Sequence, residues 1–398
     1  MNPPGQGRVR WLREIAGGLG DTGLFIPIAV ALVTLNGLNA TAVFAGTGLV
    51  YVLTAVAFRV PVPVQPLKAF AAAAIALGLS AETLAAGALL MAAIMAVLAL
   101  SGAAAWLAAR FPLVLVRGIQ AAVALLLVKA AWTLAEQGNW EGLAPISLPL
   151  SVVVALVGVA VLWIARRRGL PGSLVVLAGG AVIGLIAAGA PEVGELGPQP
   201  ISLALPDGDA FAEALGALVL AQVPLTFGNS VVATCDAERT YFGARAARVR
   251  PARLATSIAG ANLLAGLTVG MPTCHGAGGV TAHYSMGART ARSTIAIGVA
   301  LIVAGLAFGD SLPALLQVLA PGALAGMLLY VAIEHGLLAA RLERLDDRLI
   351  AAGVGLVTIL AGNLAIGFGF GVVALLLRGA LRWAGGAAGR RPPSSAVG

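Results

Sequence analysis

The segment Val60-Pro61-Val62-Pro63-Val64-Gln65-Pro66-Leu67-Lys68 breaks an otherwise apolar sequence with prolines, an amide and a cation. The segment Gly270-Met271-Pro272-Thr273-Cys274-His275-Gly276-Ala277-Gly278-Gly279 does the same in the second half of the chain. Proline fixes φ, lacks a donor and pushes its predecessor out of the α region, so Val60–Val64 is expected to be extended. Pro66 suits the first position of a new helix. Met271–Cys274 is expected to be extended too, and Gly276, Gly278 and Gly279 expose backbone N–H groups. Each break leads into a run of small residues. In a membrane such breaks are tolerated only where they are buried in protein or line a cavity. A matched pair, one in each half, points to the substrate site of a carrier.

The setting is a membrane. The 398 residues are 59% hydrophobic and 11% charged, with a mean hydropathy of +0.96. Soluble domains carry roughly 25% charged residues. The apolar runs are continuous rather than alternating, which excludes a β-barrel. Fifty-two glycines, many beside alanine, suit closely packed helices. The net charge of +8 does not signal nucleic acid, because the arginines fall at the ends of apolar runs. Cys235 and Cys274 have no metal or disulfide spacing. No cofactor, metal centre or catalytic residue is expected: zinc-protease, nucleophile-elbow and nucleotide-loop motifs are all missing. Met1–Arg13 is basic and lacks a cleavage site, so no removable signal peptide is expected.

Apolar runs predict an all-α integral membrane protein of about fourteen spans: 16–36, 41–58, 66–80, 83–108, 113–135, 147–165, 173–190, 211–231, 252–269, 276–288, 293–309, 313–335, 348–362 and 364–380. With both termini cytoplasmic, all 23 arginines fall inside, while Glu82, Glu136, Glu192, Asp207 and other acids fall outside. The chain then divides into a cytoplasmic segment (1–15), a first seven-span repeat (16–190), an extracytoplasmic linker (191–210), a second repeat of inverted topology (211–383) and a tail expected to be disordered (384–398). Pro27 in span one answers Pro224 in span eight, and the two breaks occupy spans three and ten as short half-helices.

A helix starting at mid-membrane aims free N–H groups and a positive dipole end inward, which makes a ready anion site. Lys68 in such a first turn makes sense with an anion beside it; the plainer reading is snorkelling or an ion pair. Gln65 offers amide donors, Thr273 a hydroxyl, His275 a ring N–H, and Gly276 and Gly278 backbone N–H groups. For His275 the plainer reading is a hydrogen bond between helices. Thr226 and Asn229 in span eight are expected to face the same cavity. Asp21 is a candidate coupling residue, with a structural ion pair as the alternative. His283 and His335 are expected to be structural or interfacial, Lys129 to snorkel, and the Glu334-His335 pair to lie at a solvated cytoplasmic end of span twelve.

At these residues the chain resembles the molybdate transporter family first known from plants and algae, a branch related to the sulfate permeases. The matching motifs are Gly20-Asp21-Thr22-Gly23 running to Ile26-Pro27, Pro63-Val64-Gln65-Pro66-Leu67-Lys68, Thr226-Phe227-Gly228-Asn229-Ser230 and Met271-Pro272-Thr273-Cys274-His275-Gly276-Ala277-Gly278-Gly279. Gly287-Ala288-Arg289-Thr290 also resembles sulfate permeases. The resemblance implies molybdate uptake and the seven-plus-seven inverted-repeat fold of sulfate permeases and uracil transporters. In that fold a core (spans 1–4 and 8–11) moves against a gate (5–7 and 12–14), and the substrate sits between spans three and ten. Unlike in many sulfate permeases, no STAS domain is expected after span fourteen.

The expectation is therefore a secondary active transporter that imports a tetrahedral oxyanion, molybdate first, by alternating access. Sulfate or another small anion is the nearest alternative, and an anion channel the second. The expected partners are the oxyanion and the lipid bilayer, with no nucleic acid and a homodimer as a candidate assembly. Arg-rich, Ala/Gly-heavy composition points to a bacterial inner membrane.

Overall fold

The computed structural model describes residues 14–15, 17–19, 22–110, 112–136, 148–168, 172–192, 194–203 and 205–388, and these are mostly helical. The first half runs α1 (Thr22–Thr34), α2 (Ala42–Phe58), β1 (Gln65–Pro66), α3 (Lys68–Leu77), α4 (Ala81–Leu100), α5 (Ala103–Arg110), α6 (Leu113–Glu136), α7 (Leu148–Arg168) and α8 (Gly172–Ala188). The second runs α9 (Gly208–Arg248), α10 (Pro251–Thr268), β2 (Thr273–Cys274), α11 (Ala277–Ser285), α12 (Arg292–Phe308), α13 (Leu312–Gln317), α14 (Pro321–Ala340), α15 (Leu345–Ala361) and α16 (Leu364–Ala388). Among the described residues, α4, α6, α9 and residues 364–382 of α16 are long and apolar enough to cross a membrane, and seven shorter apolar helices accompany them. Large apolar side chains such as Leu53, Leu156, Leu356, Leu360 and Leu376 stand exposed on the outer face. So much apolar surface suits lipid rather than water.

The helices sort by their packing. α2 lies against α12, and α4 against α10. α14 lies along α6 and α7, while α15 packs on α6 and α16. Small residues allow these approaches. A Cβ added at Gly266 of α10 would come within 2.6 Å of Leu89 on α4, and one at Gly48 of α2 within 2.8 Å of the Ile302 N of α12. The connector between the halves is tied down. Gln199 Oε1 accepts from Ala40 N–H at 2.8 Å, and Gln199 N–H donates to Thr41 Oγ1 at 2.7 Å.

Three predicted spans differ from the observed helices. The span 83–108 is two helices, because the chain turns at Ser101-Gly102, where Gly102 takes φ 70°. The span 313–335 breaks before Pro321, giving α13 and α14. The span 211–231 continues as helix to Phe242, through π turns at Leu215–Val219 and Thr226–Val232, and after Gly243 (φ 56°) as a 3-10 turn to Arg248. Hydropathy ends at the charged residues Asp236, Glu238 and Arg239, but charged residues are good or acceptable helix formers and carry the helix on.

Candidate functional site at the crossing of two broken segments

The two breaks meet each other. β1 and β2 pair antiparallel, with Gln65 opposite Cys274 and Pro66 opposite Thr273. Pro66 has no N–H to give, and the next residue supplies the bond: Leu67 N–H donates to Pro272 O at 3.0 Å. α3 leaves one end of this ladder and α11 the other. Their N-caps, Leu67 and Gly276, are extended and carry no side-chain cap. Two helix N-termini therefore point from opposite sides at one small region. The helices that lead into the breaks both end in the left-handed region on residues other than glycine: Arg59 (φ 61°) after α2 and Val269 (φ 54°) after α10.

Gln65 is buried, and its carboxamide lies on the first turn of α11. A Cβ added at Gly279 would sit 2.6 Å from Gln65 Nε2, and one at Gly276 would collide with Gln65 Oε1 and come within 3.1 Å of Asn229 Nδ2. Gln65, Gly276 and Asn229 are thus gathered at one point. Gly278, two positions after Gly276, is exposed, with open space where a Cβ would stand. Lys68 is the first residue of α3, buried, and close enough to His335 on α14 to act on it electrostatically. His335 is itself buried, with Nδ1 on Val331 O at 2.9 Å, so this end of α14 is not the solvated end expected for the Glu334-His335 pair.

The other nominated residues turn a different way. His275 is fully buried, with Nδ1 2.8 Å from Pro63 O and Nε2 2.9 Å from Ser257 Oγ on α10. Its ring joins both breaks to α10. Thr273 lies in the wall of a small cavity with Thr47 and Val50 of α2 and Ala261 of α10, and its buried hydroxyl has no hydrogen-bond partner among the described residues. Thr226 is buried and accepts from Gln222 Nε2 at 2.9 Å. Asp21 lies outside the described residues.

Gln222 escaped the sequence reading. Its Oε1 accepts from Phe70 N–H at 3.0 Å, so a helix from the other half caps the first turn of α3. The spacing Gln222, Thr226, Asn229 on one helical face was the available signal. Asn262, which donates to Thr273 O at 2.7 Å, and Thr234, which donates to His275 O at 2.5 Å, hold β2 and its exit. A cavity of about 520 Å³ opens between α1, the end of α8 and α13–α14, with Thr34, Glu192 and Leu324 in its wall. No residue of either break lines it.

Comparison with known proteins follows the same two segments. A family model described as "Molybdate transporter of MFS superfamily" matches residues 13–127 and 214–334, which include both breaks. Molybdate transporter 2 of Arabidopsis thaliana is 28% identical over 428 residues, 94% of this chain and 91% of that protein. Molybdate transporter 1 of the same plant is 28% identical over 398 residues, 90% and 86%. Molybdate transporter 1 of Chlamydomonas reinhardtii is 44% identical over 117 residues, 28% of this chain and 22% of that protein. The transmembrane domain of a cyanobacterium bicarbonate transporter, BicA, superposes with a TM-score of 0.65 at 17% identity, over 89% of this chain and 97% of that one. SLC26A9 superposes with a TM-score of 0.62 at 15% identity, over 92% and 66%. These two structures share the fold. With its family model covering more than half of the sequence, and both broken segments inside the matched regions, the chain belongs to the molybdate transporter family.

Proposed function

We propose that this protein is a secondary active transporter for a tetrahedral oxyanion, and that the oxyanion is molybdate. The observation that carries this reading is the crossing of the two breaks, where two helix N-termini whose N-cap residues offer no side-chain cap meet Gln65, Asn229 and the exposed turn at Gly278. An anion placed there meets the N–H groups of two half-helices, with Lys68 in the first turn of α3. In this proposal Gln65, Lys68, Asn229, Gly276 and Gly278 contact the oxygens. Thr226, Thr273 and His275 act by holding the breaks in place, and Asp21 is retained as a coupling candidate. Names of the relatives support the choice of molybdate.

The seven-plus-seven inverted repeat and alternating access belong to the same proposal. Exchange of the predicted repeats turns the α2–α12 contact into α10–α4, and the α6–α15 contact into α14–α7, and all four packings are present. That recurrence supports two related halves, with a core group carrying the breaks and a gate group led by α6 and α14. The protein then sits in a cell membrane with cytoplasmic termini. Uptake of labelled molybdate into proteoliposomes, with sulfate as competitor, tests the substrate. Saturable accumulation against a gradient is expected; equal competition by sulfate would overturn the choice of molybdate, and purely downhill flux would favour a channel.

A further inference from the structure

Glu238 lies on α9, completely buried, and neither carboxyl oxygen has a hydrogen-bond partner. On its own helix it is flanked by Cys235 and Phe242, which belong to a buried apolar cluster with Phe58, Val60, Val62 and Val280. Among the described residues, apart from the neighbouring Cys235 thiol, the charged groups on the surrounding elements make no hydrogen bond or ion pair with it. Arg239 and Arg245 on α9, Arg59 after α2 and Arg253 on α10 are exposed. The His275 ring is bound to Pro63 and Ser257, and His283 on α11 makes no hydrogen bond through either nitrogen. An ionised carboxylate among apolar groups, with neither donor nor counter-charge among the described residues, is strongly disfavoured, and the neutral acid is the form that such surroundings accept. The helix that carries this group also touches both breaks. Thr234, one turn before Glu238 on the same face, donates to His275 O. Asn229 abuts Gly276, and Gln222 caps α3.

We propose that Glu238 is a proton-binding site through which proton movement is coupled to anion transport. It rests on the transport reading above. The carboxylate takes up a proton from one side, forming an O–H bond, and the neutral acid travels buried with the closed core. The bond breaks when α9 shifts and water reaches the group on the other side. A proton moved with a divalent oxyanion also reduces the charge that crosses the bilayer.

The test uses the purified full chain in proteoliposomes, with labelled molybdate or labelled sulfate as the probe. For wild type, an inward proton gradient is expected to accelerate uptake several-fold. Glu238→Gln, which mimics the neutral acid, is expected to lose that acceleration while retaining exchange of labelled for unlabelled anion at equal pH. Difference infrared spectra are expected to show the carbonyl band of a protonated carboxylic acid in wild type and not in Glu238→Gln. Retained gradient-driven uptake in Glu238→Gln, or loss of it only in Asp21→Asn, would overturn the assignment, as would the same infrared band in both proteins. Transport of sulfate but not molybdate would instead overturn the substrate reading, and the infrared comparison would still decide the fate of Glu238.

Discussion

A single missing methyl group shapes the centre of this molecule. Gln65 occupies the space that a side chain at position 276 would need, and Asn229 closes the other side. Gly276→Ala is therefore expected to reduce molybdate uptake about tenfold or more, equivalent to ~1.4 kcal/mol of lost binding, with normal insertion. Gly278→Ala meets open space, so it should fold as wild type does yet lower molybdate uptake, because its methyl group stands where the anion approaches the backbone; wild-type uptake would remove Gly278 from the site. Equal uptake by wild type and Gly276→Ala would sink the placement of the site. The prolines and glycines made both breaks legible from the sequence, since they restrict or free the backbone whatever surrounds them. The direction in which Thr273 and His275 face was not legible. It is set by Ser257 and Asn262 on α10, which accept or donate across the fold.

The half-helices depend on elements distant in sequence. α3 begins with buried N–H groups, and Gln222 of α9 satisfies that of Phe70. Gln222→Ala leaves this donor unpaired, at a cost of about 1–3 kcal/mol, which should appear as a lower melting temperature in detergent; an unchanged melt would show that water replaces the cap. Val269 is β-branched and left-handed, a conformation costing roughly 1–2 kcal/mol, at the C-terminal end of α10 where the second break begins. Val269→Gly relieves that strain but gives back part of it through backbone freedom, so a net gain below ~1 kcal/mol is expected. A lower melting temperature in this variant would mean that Val269 is held by packing rather than strained. Helix existence could be read from apolar runs, and so could most boundaries. The extension of α9 to Arg248 could not, because its last part is stabilised by packing on α11 rather than by its own hydropathy.

At the scale of the whole molecule, the proposed alternating access has α9 slide past α6. They touch at Gly228, where an added Cβ would lie 3.3 Å from Val116 Cγ2. A Val116→Cys, Gly228→Cys pair is within disulfide reach. Oxidation should stop molybdate uptake and reductant should restore it, with the native Cys235 and Cys274 buried and silent. Uptake that persists in the cross-linked protein would rule out movement at this contact. The distribution of arginine gave the sequence reading its orientation and its division into halves, because charge placement follows membrane topology directly. The direct hydrogen bonding between the halves carried no such signal, since each break is explicable alone as a local interruption.

That hydrogen bonding has a consequence for biosynthesis. Pro66 and Cys274 are 208 positions apart. At roughly 5–20 residues per second, a ribosome takes on the order of 10–40 s to deliver the second break after the first. Throughout that interval Gln65 and Lys68 occupy a nascent membrane segment without the strand, cap and amide neighbours that they have in the finished protein. The first half must be sheltered by the insertion machinery until the second arrives, and a pause in translation between the halves is where this chain is most exposed to degradation.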